Sequence, residues 1–319
     1  MRGLPEGYEI RPASIDDLEA VGAVMRAADV DPSGRSDAAS SGGSDLAVDM
    51  IRDLWSSPGV DLARDAWVVV SPEEQIVAYA HLQEDGDARL KGWGDVHPEH
   101  LGRGIGSALF DRSEARAAER FASVRTGLLE LAVADWNHEA AALLRSRGFE
   151  RVRSFRHMQI DLDGPAIDPG VAPQGIEIRG IDADDLPAIH AIFVDAFRDE
   201  WGYREVSFEE WKANEVETPS YDPTLWFIAE DEDGPVGAVS GLIWGDLGWV
   251  GELGVRKPWR GRGIDAALLR RSFATFGSRG LTRVRLNVDA DNPTGAVALY
   301  ERVGMRKVRG WEIHEKRFA

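Results

Sequence analysis

Apolar and polar positions along the chain follow two periods, and the same sequence of periods occurs twice. YEIRPASIDDLEAV from residue 8 and IEIRGIDADDLPAI from residue 176 each read as a short alternating strand followed by a helix. Acidic residues open both helices, where they meet the positive end of the dipole. Later come LLELAVADWNHEAAALLRSRGF (128–149) and VRLNVDADNPTGAVALYERVGM (284–305). Each predicts an apolar strand, a polar turn, a short helix and a glycine stop. A further strand is expected near 155–162 and again near 311–318. The chain therefore reads as two copies of one α/β plan, with an N-terminal domain at 1–160 and a C-terminal domain at 176–319. Residues 161–175, DLDGPAIDPGVAPQG, carry three prolines and three glycines and predict a linker.

Two segments break the symmetry. DPSGRSDAASSGGSD, 31–45, is rich in serine and glycine and predicts a mobile loop. Its counterpart, FRDEWGYREVSFEEW at 197–211, interleaves aromatics with charges, which suits either a pocket wall or an amphipathic helix packed on the domain. Glu200, Trp201 and Glu209 in this segment are candidates for binding a substrate, as is Trp249 on a later strand.

In the middle of each half a strand runs into a glycine turn: LGRGIG at 101–106 and RGRGID at 260–265. Gly261 and Gly263 permit a tight turn, and Ile264, Leu268, Leu269, Phe273 and Phe276 have helical spacing behind it. The free N–H groups of such a helix start form an anion site. Arg256, Lys257, Arg260 and Arg262 crowd onto that turn. The pattern is neither a P-loop nor a dinucleotide fingerprint.

Composition narrows the chemistry. With 319 residues, 43% hydrophobic and 29% charged, the chain suits two soluble domains. A net charge of −18 argues against nucleic acid and anionic membranes as partners, so a phosphate ligand needs a local basic patch. No apolar run approaches the roughly 20 residues of a membrane span, and a cytoplasmic protein, monomer or homodimer, is expected. The absence of cysteine excludes disulfides and an acyl-cysteine intermediate. The seven histidines have no metal-ligand spacing, and no metal is expected.

Taken together, the turn Arg-x-x-Gly-x-Gly/Ala after a strand ending Leu-x-Val, and N-x-x-x-x-x-L-Y-x-x-x-G-F/M about 30 residues later, resemble the GNAT superfamily of acyl-CoA-dependent N-acyltransferases. Leu253, Gly254, Val255, the turn from Arg260 to Asp265, Asn292, Leu299, Tyr300, Gly304 and Met305 carry the match in the second half. Val96, Arg103, Gly104, Ile105, Gly106, Asn137, Leu143, Gly148 and Phe149 carry it in the first. The tandem arrangement is similar to that of mycothiol synthase-like two-domain acetyltransferases. The resemblance implies two GNAT domains, each a mostly antiparallel sheet splayed at the acyl-CoA site and flanked by helices. It implies acetyl-CoA as acyl donor, with its pyrophosphate on the turn amides of Arg260, Gly261, Arg262, Gly263 and Ile264, and its pantetheine along Leu253–Gly254–Val255. In the first half Val96, Arg103, Gly104 and Gly106 take those places. An amine attacks the thioester directly, so a base and an acid are needed.

In the second half the resemblance implies Tyr300 as acid. Glu252, on the strand before the turn, is the candidate base or substrate anchor, although a regular strand turns Glu252 and Leu253 to opposite sides. Aligned by the glycines, Tyr300 falls on Leu144 and Glu252 on Trp93, so the first half is expected to be catalytically degenerate. Asp265 stands where the family has Gly or Ala. A carboxylate about 5 Å from a phosphate charge costs roughly 3 kcal/mol at an effective dielectric near 20, unless it caps the helix instead. The expected function is acetyl transfer to a small-molecule primary amine. The alternative is a catalytically idle acyl-CoA-binding or interaction protein.

Overall fold

The computed structural model describes residues 4–29, 45–57, 59–292 and 295–319. The serine- and glycine-rich segment expected to be a mobile loop lies, up to residue 44, outside them. Among the described residues no helix is long and apolar enough to cross a membrane. Contacts divide the chain into two compact units, Met1–Phe155 with Arg309–Ala319, and Arg156–Val308.

The first unit is built from β1 (Glu9–Pro12), α1 (Leu18–Ala28), α2 (Asp45–Ser56), α3 (Leu62–Asp65), β2 (Ala66–Val70), β3 (Ile76–Glu84), β4 (Arg89–Val96), α4 (Ile105–Phe121), β5 (Gly127–Ala134), α5 (His138–Ser146) and the start of β6 (Glu150–Asp161). The second contains the rest of β6, β7 (Glu177–Gly180), α6 (Leu186–Phe197), α7 (Phe208–Glu215), β8 (Phe227–Asp231), β9 (Gly234–Trp244), β10 (Leu247–Val255), α8 (Ile264–Ser278), β11 (Arg283–Asp289) and α9 (Ala296–Arg302). The last strand, β12 (Arg306–Phe318), returns to the first unit from Arg309 onward.

Each unit's sheet is thus completed by a strand from the other half of the sequence. In the first, the order is β1-β2-β3-β4-β5-β12. Trp311–Phe318 lie antiparallel on Ala134–Gly127 without a register break. In the second, the order is β6-β11-β10-β9-β8-β7, with Arg285 donating to Gln159 across β11 and β6 at 2.6 Å. Against the expected boundaries of 1–160 and 176–319, the two terminal strands exchange, because each finds its hydrogen-bonding edge in the other unit's sheet. The expected linker begins inside the second unit.

The ladders β1–β2–β3–β4, β5–β12 and β7–β8–β9–β10 are antiparallel, whereas β4 on β5 and β10 on β11 run parallel. The parallel pairs are where the sheets splay. β10 pairs with β11 only at Gly248 and Trp249, then continues to Val255 held by β9 alone. In the first unit β4 leaves β5 after Gly92. The helix behind each glycine turn is fixed by apolar burial. On α8, Ile264, Leu268, Leu269, Phe273 and Phe276 are all buried, as their spacing predicts. Gly263 adopts φ 80° and Gly104 φ 84°, so a left-handed residue precedes both helices.

Candidate active site

The site begins with an irregularity in β10. Val250 pairs with Gly241 and Leu253 with Val239, so Gly251 and Glu252 together oppose the single residue Ser240. This is a β-bulge, a device that re-aims side chains. The Ser240 hydroxyl oxygen accepts the Glu252 N–H at 2.8 Å and satisfies the amide that the ladder leaves over. Residue 251 must be small for that bond to exist, since a Cβ there would lie 2.8 Å from Ser240 Oγ. The bulge removes the strand-parity objection to Glu252, because strict alternation no longer holds across it.

Glu252 accepts a hydrogen bond from Trp211 Nε1 at 3.0 Å. Burial raises its carboxyl to about 7; the Trp211 bond pulls the value down and nearby Glu200 pushes it up. Glu200, just beyond α6, is itself raised, mainly by burial, although Asn292 Nδ2 donates to its Oε1 at 3.1 Å. Tyr300 on α9 is buried, and its hydroxyl makes no hydrogen bond among the described residues. Burial first, then Glu200 and Asp265, raise the phenol well above its ordinary value. Glu200 is therefore felt by both Glu252 and Tyr300, which places the two candidate proton-transfer groups in one electrostatic neighbourhood.

The turn residues divide into structure and display. Arg260 is tied down, donating to Val255 O at 3.1 Å and Ala196 O at 2.9 Å. Lys257 pairs with Asp199 at 2.6 Å. Arg262 is exposed, with no ion pair or hydrogen bond among the described residues. Among the described residues, Lys257 and Arg260 are thus engaged by protein groups, whereas Arg262 is not. Gly261 and Gly263 have positive φ, and nothing within 4 Å would meet a side chain there. Backbone conformation, not packing, requires glycine at both. Ile264 anchors the turn in the core. Asp265 Oδ1 accepts from the Ala266 N–H at 2.8 Å, so the carboxylate takes up one of the amides at the start of α8. Leu253 and Val255 flank Gly254, where a Cβ would come within 2.9 Å of Phe193 and 3.0 Å of Ala196 on α6.

The other expected residues are scattered. Asn292 serves Glu200 rather than facing outward alone. Trp249 packs against Trp244 and, edge-on, against His157, with ring centroids 5.4 and 5.2 Å apart. Trp201 is half-buried in the turn after α6. Glu209 is exposed on the first turn of α7. Sequence reasoning missed Trp211, Ser240 and Glu215. Trp211 and Glu215 are four residues apart on α7, a spacing that puts them on one face. Glu215 is raised well above the ordinary carboxylate range, first by burial and then by the charge of Glu252.

In the first unit β4 pairs with β3 from Ala78–Val96 to Glu84–Leu90 without a bulge. Trp93 stacks on buried His81 at 5.2 Å, and Leu144 is wholly in the core. Burial lowers His81 to about 4. Arg103 is tied to Tyr8 Oη at 2.8 Å and Glu99 O at 3.1 Å. Gly106 has open space around it, with only Val96 Cγ2 at 3.9 Å. One acid was overlooked there: Asp95 accepts from Tyr79 Oη at 3.0 Å, and burial lifts it to about 6.

Comparison with known proteins is consistent throughout the chain. A profile described as the acetyltransferase (GNAT) family matches residues 40–149 and 186–305. The mycothiol acetyltransferase of Salinispora arenicola is 33% identical over 258 residues, covering 75% of this chain and 76% of that one. That of Beutenbergia cavernae is 31% identical over 258 residues, covering 76% and 80%. Among solved structures, a GCN5-related N-acetyltransferase from Sphaerobacter thermophilus superposes with a TM-score of 0.80 at 29% identity, covering 99% of this chain and 97% of that one. A tandem GNAT protein from the clavulanic acid biosynthesis pathway shares the fold, with a TM-score of 0.69 at 18% identity, covering 97% and 98%.

Proposed function

We propose, from the premise that the chain belongs to the GNAT acetyltransferase family, that its second unit moves an acetyl group from acetyl-CoA directly onto a small primary amine. That the protein is an acyltransferase follows from the family and its relatives; the donor, the acceptor and the division of work between units are the proposal.

When bound, the donor supplies an activated acyl group. The chain's residues do the rest. The α8 amides and Arg262 hold the pyrophosphate. The stretch of β10 that has left β11 offers unpaired backbone groups to the pantetheine amides. Glu252, with its carboxyl near 7, accepts a proton from the acceptor's ammonium. The Trp211 N–H holds the carboxylate in place while it does so. Tyr300, kept protonated by burial, returns a proton from Oη to the departing thiolate.

The observation that carries this reading is Glu252 itself, a half-buried carboxylate re-aimed by a bulge at the point where the sheet splays. The test is thiol release from acetyl-CoA with a panel of amino-thiols, amino sugars, polyamines and aminoglycosides. Amino-thiols come first because the curated relatives are mycothiol acetyltransferases. Turnover of at least one acceptor is expected. Acetyl-CoA binding without turnover of any amine would instead favour an idle acyl-CoA-binding protein.

A further inference from the structure

We propose that Glu215 is an acceptor-positioning residue, holding the reacting amine's end of the substrate against Glu252 by a hydrogen bond rather than by charge. The proposal rests on Glu252 acting as the base. Its geometric support is the inward face of α7. Trp211 on that face donates to Glu252 Oε2 at 3.0 Å, and Glu215 follows one helical turn later. Glu209, on the same helix, is exposed instead.

The two carboxyls are not equivalent. Glu252 has the Trp211 N–H to stabilise its anion. Glu215 has no hydrogen bond or ion pair among the described residues. Of two neighbouring carboxyls, the one lacking a donor keeps the proton. Around the pair, Glu200 before α7 raises Glu252 and is itself raised by burial and by Asp289 on β11 and lowered by Arg260, while Tyr203 is raised by burial and by Glu205 and lowered by Arg198. The Tyr203 hydroxyl is shielded from solvent and unpartnered, and its own ionisation is opposed by the Glu252 charge. Around Glu252 there are thus two groups without protein partners among the described residues, Glu215 and the Tyr203 hydroxyl. A shielded hydroxyl such as Tyr203 Oη is costly unless a ligand or water meets it, and the Glu215 carboxyl beside Glu252 is half-buried.

The proton ledger closes. Glu215 enters the cycle protonated and stays so. Glu252 takes one proton from the ammonium, the neutral nitrogen forms the amide bond as the thioester C–S bond breaks, Tyr300 supplies the thiolate's proton, and the nitrogen's second proton leaves to solvent as the amide forms. Exchange with solvent then resets Glu252 and Tyr300.

Two measurements test this. In the folded, full-length protein, carboxyl carbon-13 shifts followed against pH should show Glu252 losing its proton before Glu215. With an accepted amine, Glu215→Gln, which mimics a neutral carboxyl, should keep kcat and KM within about threefold and leave the acidic limb of the pH profile in place. Glu215→Ala should raise the acceptor KM about tenfold, the size of one lost hydrogen bond, with little change in kcat. Glu215 titrating first, or Glu215→Gln losing as much as Glu215→Ala, would overturn the proposal. So would a silent Glu215→Ala. The order of titration needs no turnover, so it stands or falls apart from the choice of Glu252 as base, which Glu252→Gln decides. If the alanine variant does not fold, the glutamine variant and the titration order still decide the matter.

Discussion

The two units share a strand order around the glycine turn and a left-handed glycine before the following helix, yet β4 and β10 differ by one inserted residue. From Gly92 to Val96 the first unit keeps unbroken register with β3. From Val250 to Val255 the second fits an extra residue opposite Ser240. His81 and Trp93 fill the regular strand's face with stacked rings. Gly251 and Ser240 open the bulged one, and Glu252 turns toward Trp211. The glycine turn and the candidate proton-transfer groups are therefore separable features. A unit can keep the first while a single strand residue decides the second.

The first contrast separates the two short helices that follow β5 and β11. Tyr300→Phe should lower kcat by about 10²-fold with a smaller change in KM, whereas Leu144→Met, at the aligned place in the first unit, should leave kcat alone. Equal activity of Tyr300→Phe would remove the phenol from the mechanism.

Packing gives the next contrast. Gly254→Ala forces a Cβ to within 2.9 Å of Phe193 and should cost about 2 kcal/mol in denaturant unfolding. The first unit carries Asp95 at the aligned position, with its carboxylate turned to Tyr79. Gly106→Ala, in open space, should change stability by less than about 0.5 kcal/mol. If the two alanines cost the same, the close approach of α6 to β10 is not what fixes glycine there.

The smallest effect concerns the turn itself. Asp265→Gly should lower the KM for acetyl-CoA about threefold with kcat unchanged. The full repulsion of roughly 3 kcal/mol is not expected, because the carboxylate is already held by the Ala266 N–H. A raised KM would show that the cap matters more than the charge.

Much of this was legible in the sequence, for identifiable reasons. Apolar spacing along α8 and the glycines at 261 and 263 gave the strand–turn–helix, because both are local constraints. The place of Tyr300 on the short helix after β11 followed from its motif. The exchange of β6 and β12 was not legible, since a strand's period says which face it buries but not whose edge it joins. Arg260 looked like a phosphate ligand, yet it ties β10 to α6 through two carbonyls, a tertiary role that its neighbours in sequence do not announce. Glu209 was visible on α7 and Glu215 was passed over, although its spacing from Trp211 was the available signal. Glu252 was named for its position, but the bulge that aims it depends on Ser240, eleven or more residues away along a hairpin.

The central claim, that chemistry belongs to the second unit, is tested most directly by comparing Glu252→Gln with Asp95→Asn in pH profiles of kcat/KM for an accepted amine. In the unaltered protein activity should fall as pH drops through about 7, because the working base must be ionised. Stability should run the other way. A carboxyl raised in the fold favours folding below the ordinary carboxylate range and loses that contribution as pH rises through 7, so Glu252→Gln should be the more stable protein at pH 8. Its kcat should fall by about 10²- to 10⁴-fold with acetyl-CoA binding retained, while Asp95→Asn keeps kcat within about twofold. Activity that survives Glu252→Gln and disappears with Asp95→Asn would place the reaction in the first unit and contradict the account.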